Sequence, residues 1–121
     1  MDDMRLGTVE AHFANLIWEN EPITSGELVK LCNRELEWKK STTYTVLKKL
    51  CNRGIFQNVN GVVSSVISKE EFTGIQCAEF VDKKFNGFLP AFVTSFAKQR
   101  KLTDEEVQEL EKIIKAYREE Q

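Results

Sequence analysis

Residues 41–54, STTYTVLKKLCNRG, have the two-faced pattern of a helix that is buried on one side only. At about 100° per residue, the more apolar side collects four residues: Thr43, Val46, Leu47 and Leu50. The opposite side collects hydroxyl, amide and lysine side chains: Ser41, Tyr44, Thr45, Lys48, Lys49 and Asn52. We predict that Ser41 or Thr42 caps the start of this helix and that Gly54, suited to a left-handed conformation, follows its end.

Two shorter helices are predicted before this stretch. Residues 8–19 place apolar side chains at helical spacing, and Pro22 follows their end. Residues 24–27, TSGE, form a capping box that begins a second helix. We expect the second helix to stop near Arg34 or Glu35.

A β-hairpin is predicted after the basic helix. Residues 55–59 and 62–67 are rich in β-branched and aromatic side chains, and they flank Asn60-Gly61, the pair best suited to a type I′ turn. Three helices followed by a hairpin, with a polar and basic third helix, form the winged helix-turn-helix arrangement, whose third helix enters the DNA major groove. We therefore assign residues 1–68 to a winged-helix DNA-binding head, in a protein that is mainly α-helical with a small β-hairpin.

The charges are segregated along the chain. The formal net charge is -2, but residues 38–69 hold six basic side chains and no acidic one. The other 11 of the 17 basic residues face 19 acidic ones, a net charge of −8. A basic patch of this kind is typical of a site for a polyanion. A solvated surface without a partner has the same composition, so charge alone leaves both interpretations open.

Residues 69–121 are predicted to form a helical tail. Capping boxes at residues 68–71, SKEE, and 103–106, TDEE, begin its first and last helices. Asn86-Gly87 and Pro90 interrupt the pattern between them, which favours two helices joined by a bend. The last helix carries an apolar stripe that we expect to be buried: Leu110, Ile113, Ile114 and Tyr117.

The tail is predicted to mediate dimerisation. Six of the eight phenylalanines lie in it, at positions 72, 80, 85, 88, 92 and 96. An isolated pair of helices cannot cover so much apolar surface, so we expect a second copy to cover it in a two-fold dimer. The alternative is a tail that folds back onto its own head. The candidate dimer contacts are Phe80, Phe85, Phe88, Phe92, Phe96, Leu110 and Ile114.

The candidate DNA contacts fall into three groups. Hydroxyl groups that can bond to base edges or phosphates lie on the third helix, at Ser41, Thr42, Tyr44 and Thr45. Lysines that can contact phosphates are Lys39, Lys40, Lys48 and Lys49. Asn60, at the tip of the hairpin, is the candidate contact of the wing. Tyr44 packed at the edge of the head, and lysines that are simply solvated, are the alternatives.

Residues 40–50, KSTTYTVLKKL, followed by Arg53-Gly54-Ile55, resemble the recognition-helix block of the BlaI/MecI penicillinase-repressor family. The similarity extends over most of the chain. The other matching positions are Glu10, residues 16–18, Thr24, Glu27, Leu28, residues 92–96, residues 102–106 and Leu110. The resemblance implies a transcriptional repressor that binds double-stranded DNA as a homodimer on a palindromic operator.

The family divides by its inducing signal. In the β-lactam-responsive branch a membrane sensor triggers proteolysis in the tail, at an Asn-Phe bond, and the matching bond here is Ser95-Phe96. The copper-responsive branch carries a CxCxxxxCxC motif near the C-terminus, whereas this chain has no cysteine after Cys77. The resemblance therefore leaves the inducer, and any signalling protease, undetermined.

The sequence lacks the residues that other function classes require. The sequence has no Ser/His/Asp set, no glycine-rich phosphate loop and no cluster of metal ligands, so we expect neither an enzyme nor a cofactor nor a metal site. Cys32, Cys51 and Cys77 form no CxxC pair and are expected to be reduced. We find no apolar run for membrane insertion and no signal peptide, which predicts a cytoplasmic protein. The alternative function is a winged-helix module that binds an acidic protein.

Overall fold

The computed structural model describes residues 5–120, and within them it contains six helices and three strands. The helices are α1 (Thr8–Asn20), α2 (Ser25–Leu36), α3 (Lys40–Asn52), α4 (Lys69–Phe85), α5 (Leu89–Gln99) and α6 (Asp104–Glu120). The strands are β1 (Ile23–Thr24), β2 (Phe56–Val59) and β3 (Val62–Ser65). The chain forms two compact units, of which the first runs to Ala78 and the second begins at Glu79. The predicted fold class, mainly α-helical with a winged-helix head and a helical tail, is confirmed.

The first unit is built around one apolar core between α1, α2, α3 and the sheet. Phe13, Ile17, Leu28, Leu50, Ile55, Phe56 and Val63 are buried in it. Trp38 packs against Phe13 with ring centroids 5.3 Å apart and so holds the connection between α2 and α3 on the core. Since α3 contributes the buried Leu47 and Leu50, its orientation follows from this packing.

The starts of α2 and α3 show how the local sequence determines where a helix begins. The Thr24 hydroxyl accepts a hydrogen bond from the Glu27 N–H at 3.2 Å, which confirms the predicted start of α2. The predicted start of α3 is wrong, because its N-cap is Lys39 and not Ser41 or Thr42. The Lys39 carbonyl accepts both the N–H and the hydroxyl of Thr43, at 3.1 and 3.4 Å, and thereby extends the helix by part of a turn. Gly54 has φ 80°, as predicted for the residue that follows the helix end.

The predicted hairpin is part of a three-stranded sheet. β2 and β3 pair antiparallel around Asn60 and Gly61, whose φ angles of 53° and 82° fit the expected turn. The sequence does not predict β1, whose two residues Ile23 and Thr24 pair with Val63 and Val62 of β3. The strand order is therefore β1-β3-β2, and β1 connects the sheet to the start of α2.

The beginning of α4 belongs to the first unit. Phe72 is 3% exposed, and its ring lies 5.5 Å from that of Trp18. Trp18 also packs on Phe56 and donates its indole N–H to the Ile67 carbonyl at 3.1 Å. The first turns of α4 thus complete the core of the head, whereas the boundary expected from the sequence lies between residues 68 and 69.

The second unit contains the end of α4, α5 and α6. Asn86 and Gly87 have positive φ, and they separate α4 from α5 as predicted. The Glu106 N–H donates to the Thr103 hydroxyl while the Glu106 carboxylate accepts from the Thr103 N–H, so the predicted capping box of α6 is present. The prediction of a buried stripe on α6 is wrong for a single chain, because none of the α6 residues that the structure describes is buried.

Candidate nucleic-acid interface

The two faces of α3 differ as the sequence predicts. Thr43, Leu47 and Leu50 are buried against the core. The outward face is formed by exposed polar and basic residues: Ser41, Thr42, Tyr44, Thr45, Lys48, Lys49 and Asn52. Because α3 is anchored along its whole back, this outward face is a rigid surface with donors, acceptors and positive charge.

The start of α3 combines two features that attract anions. No side chain caps the helix, so the N–H groups of its first turn point outward without an internal partner. Lys39 and Lys40 are both exposed at this end. A helix N-terminus with free N–H groups and adjacent lysines is suited to a phosphate group.

Tyr44 connects α3 to the start of α2. Its phenol hydroxyl donates a 3.1 Å hydrogen bond to the hydroxyl of Ser25, the first residue of α2. The Ser25 N–H in turn donates to the Gly61 carbonyl in the hairpin turn at 2.8 Å. The candidate contacts on α3 and the candidate Asn60 on the hairpin are therefore linked through Ser25. Ser25 is not among the predicted site residues, and its position after the capping Thr24 is the signal for it in the sequence.

The two adjacent lysines of α3 have different surroundings. Lys49 forms a 2.8 Å ion pair with Glu10 of α1, whose other carboxylate oxygen accepts the Gly7 N–H at 3.0 Å. The hydrogen bond from Lys49 is the main cause that lowers the pKa of Glu10 below its ordinary value of 4.5. Within residues 5–120, Lys48 has no ion-pair partner. Lys49 therefore presents less unpaired charge to a ligand than Lys48 does.

The hydroxyl groups on the face of α3 also differ. Thr45 donates its hydroxyl to the Ser41 carbonyl one turn earlier at 2.9 Å, which leaves its oxygen available only as an acceptor. Ser41 and Thr42 are exposed in the first turn, near Lys40. In the part of the chain that the structure describes, neither of these two side chains has a hydrogen-bond partner.

The candidate dimer contacts fall into an inner and an outer group. Phe80, Phe85, Phe92 and Phe96 form a cluster of rings with neighbouring centroids 5.7 to 6.2 Å apart, in which Phe85 and Phe92 are half-buried. Phe88 and Ile114 are 63% and 56% exposed. Phe85 and Phe92 thus pack largely within one chain, whereas Phe88 and Ile114, the outer group, remain exposed. Large apolar side chains outside the expected set are also exposed: Leu89, Val107, Ile113 and Tyr117.

The connection from α5 to α6 is held by a charged contact. The Arg100 guanidinium bonds both carboxylate oxygens of Glu106, at 3.3 and 2.9 Å, and lies 4.6 Å from the centre of the Phe96 ring. The hydrogen bond from Arg100 is the largest cause that lowers the pKa of Glu106 to about 2. The Ser95-Phe96 bond lies inside α5, in a continuous helical segment.

Within residues 5–120, the cysteines and the potential metal ligands form no further site. All three cysteines are free, and burial raises the pKa of the Cys32 and Cys51 thiols, which stay protonated at neutral pH. Among the residues described by the structure, no three His, Cys, Asp or Glu side chains are grouped as metal ligands. No helix in residues 5–120 is long and apolar enough to cross a membrane. Residues 1–4, on which the expectation about a signal peptide rests in part, lie outside the described residues.

Comparison with known proteins identifies similar sequences over nearly the whole chain. The family model described as "Penicillinase repressor" matches residues 6–116. A penicillinase repressor of Bacillus licheniformis is 22% identical over 118 residues, covering 94% of this chain and 92% of the relative. A penicillinase repressor of Staphylococcus aureus is 23% identical over 115 residues, covering 92% of this chain and 91% of the relative.

Proposed function

The chain belongs to the penicillinase repressor family, and from this premise we propose that it binds operator DNA as a homodimer, with α3 in the major groove. Its class is that of a transcriptional repressor, a regulatory protein and not an enzyme.

The observation that carries the proposal is the outward face of α3. Its hydroxyl groups and lysines lie on one rigid helical surface, opposite a buried back. A helix of this kind fits the major groove, where hydroxyls bond to base edges and lysines to phosphates. We assign base contacts to Ser41, Thr42 and Thr45.

Phosphate contacts are assigned to the residues around the start of α3 and to Lys48. Lys39, Lys40 and the uncapped N–H groups of the first turn form one end of this surface. Tyr44 and Ser25 support the alignment of α3 with α2, and Asn60 of the hairpin is the candidate contact outside the main groove. Lys49 contributes less because Glu10 neutralises it in the free protein.

The second unit supports the homodimer. Apolar side chains of the second unit that a stable protein would bury are exposed in the single chain: Phe80, Phe88, Leu89, Phe96, Val107, Leu110, Ile113, Ile114 and Tyr117. Exposed apolar surface on this scale is typical of an interface between copies. A symmetric dimer also doubles the phosphate contacts of the small head and matches a two-fold-symmetric operator.

A competition titration tests the proposal against its alternative, a winged-helix module for an acidic protein. The full chain is bound to a fluorescent duplex of mixed sequence at low salt, and unlabelled duplex or poly-glutamate is added at equal charge. We expect the duplex to displace the label at much lower concentration than poly-glutamate, because B-DNA has a higher charge density and groove contacts. Equal displacement by poly-glutamate, or no binding to the duplex, would contradict DNA recognition.

A further inference from the structure

Tyr44 is the only aromatic residue in the sequence of α3, and it lies on the outward face of this helix. Ser41 and Lys48 lie on the same face, about one turn before it and one turn after it. Tyr44 is 36% exposed, so a large part of it is accessible to a ligand. An aromatic surface therefore lies among the hydroxyl groups and lysines that we assign to DNA.

A hydrogen bond fixes the far end of the Tyr44 side chain. The phenol O–H donates to the Ser25 hydroxyl at 3.1 Å. The side chain is thus attached at both ends, through its Cα to α3 and through its hydroxyl group to the start of α2. Because a tyrosine has only two torsions between its backbone and its ring, attachment at both ends leaves the ring few orientations.

The backbone of Ser25 is itself held in place. Its N–H donates to the Gly61 carbonyl in the hairpin turn at 2.8 Å. The preceding residue, Thr24, pairs with Val62 of β3 and caps α2 by accepting the Glu27 N–H. The Ser25 hydroxyl is therefore a fixed acceptor for the phenol, because the sheet and the hairpin turn both hold the backbone that carries it.

The hydrogen bond to Ser25 also restricts what Tyr44 can recognise. A phenol has one O–H donor, and Ser25 takes it. Bidentate recognition of guanine needs two donors, and that of adenine needs a donor and an acceptor, so neither is open to this phenol. The apolar surface of the ring remains, and the apolar group that a base pair presents in the major groove is the C5-methyl group of thymine.

We infer that Ser25 is a positioning residue, which holds the Tyr44 ring so that it contacts the C5-methyl group of a thymine in each half-site of the operator. The inference rests on the proposed function and adds a determinant of sequence specificity to it. Because the ring is held before DNA binds, less rotamer entropy is lost on binding. Without the Ser25 hydroxyl the ring takes other orientations, and the preference for thymine decreases.

Replacement of thymine by uracil tests this inference, because uracil lacks only the C5-methyl group. The palindrome that the full-length protein selects from a random duplex library serves as the operator, and each symmetry-related pair of thymines is replaced in turn. Affinity is measured by fluorescence anisotropy. We expect one such replacement to weaken binding about 15-fold, because each lost methyl contact costs about fourfold and the dimer loses two. In Tyr44→Ala this preference for thymine should disappear.

Ser25→Ala and Tyr44→Phe remove the same hydrogen bond from opposite sides, and both keep the ring. Each should reduce the preference for thymine at that pair to about fourfold or less. The double variant should lose no more than either single variant, because only one interaction is removed. Ser25→Thr keeps the hydroxyl group and should retain the preference.

Ser95→Ala is the matched control, because it removes a serine hydroxyl from α5 in the second unit. It should leave the preference for thymine unchanged. Thermal unfolding of each variant shows whether it folds, and either Ser25→Ala or Tyr44→Phe alone is sufficient to remove the hydrogen bond.

Three results would overturn these statements at different points. Equal losses of Ser25→Ala on the thymine and uracil operators would mean that Ser25 has only a structural role. A uracil effect that is absent at every thymine pair of the original protein, or one that persists in Tyr44→Ala, would overturn recognition of thymine by Tyr44. An original protein that selects no enriched sequence would instead overturn the proposed operator recognition itself.

Discussion

Lys48 and Lys49 should contribute unequally to DNA affinity, although they are adjacent lysines on the same helix. Lys49 is held by Glu10 at 2.8 Å, whereas Lys48 is exposed without an ion-pair partner among residues 5–120. A phosphate that approaches Lys49 has to displace the Glu10 carboxylate. The substitution Lys48→Ala therefore removes a phosphate contact that releases counterions. The substitution Lys49→Ala removes little of such a contact.

The expected size follows from counterion release. Each phosphate contact on B-DNA contributes about 0.9 to the slope of log affinity against log salt, and a dimer loses two contacts, so Lys48→Ala should reduce the slope by about 1.8. A fourfold rise in salt should then weaken the original protein about twelvefold more than the variant. Lys49→Ala should change the slope by less than half of this amount, and Glu10→Gln should increase it by freeing Lys49.

The assay is fluorescence anisotropy with a mixed-sequence duplex at a series of salt concentrations. Lys98→Ala is the matched control, because Lys98 is an exposed lysine of α5 in the second unit. It removes the same charge and should leave the slope unchanged. An unchanged slope for Lys48→Ala, or equal changes for Lys48→Ala and Lys49→Ala, would refute the assignment of phosphate contacts from the ion-pair geometry.

Three further outcomes are expected. Thr42→Val keeps the side-chain shape but removes the hydroxyl, and it should reduce discrimination between operator and altered operator by about 1–3 kcal/mol in competition binding. Since the folded-state pKa of Glu10 is lowered, its carboxylate stabilises the protein above its ordinary pKa of 4.5, and this contribution disappears as the pH falls through the folded value. Urea unfolding should therefore separate the original protein from Glu10→Gln at pH 7 but not at strongly acidic pH. A head that ends at Ala78 keeps Phe72 and should unfold cooperatively, whereas one that ends at Ser68 should lose about 3–5 kcal/mol of stability.

Each of these outcomes has a contrary result. Equal losses of Thr42→Val on operator and mixed-sequence DNA would indicate a general contact and not a base contact. A stability difference for Glu10→Gln that grows on acidification would have the wrong sign for an ion pair. Equal stability of the two truncated heads would mean that Phe72 does not belong to the head core.

The sequence predicts most of the head because its signals are local. The faces of α3, the capping threonine of α2 and the Asn60-Gly61 turn each depend on residues within a few positions of one another. The start of α3 is predicted wrongly because Ser41 and Thr42 both suit an N-cap, whereas the helix begins after Lys39. Thr43 is buried instead, and it bonds back to Lys39.

Features that depend on distant pairing were not predicted. β1 has only two residues, and it forms a strand because it pairs with β3. Since β1 precedes α3 in the chain and β3 follows it, no local periodicity predicts this pairing. The contacts Lys49 to Glu10 and Tyr44 to Ser25 join different helices, so only the packing of the core brings their partners together. These two contacts change which α3 side chains are available to a ligand, but the candidate site remains on α3.

The tail shows a different limit. Its helices and caps follow from the sequence, but the stripe on α6 was expected to be buried and is exposed in the single chain. An apolar stripe indicates that a helix needs a partner and does not say whether that partner is in the same chain.

Selection of bound sequences from a random duplex library is the measurement that tests the central claim most directly. The full-length protein is used at near-physiological salt with competitor DNA. A homodimer that inserts α3 into the major groove should recover a two-fold palindrome, with half-sites about one helical turn or a multiple of it apart. Recovery of unenriched sequences, with binding abolished by moderate salt, would contradict operator recognition and leave only a nonspecific basic surface.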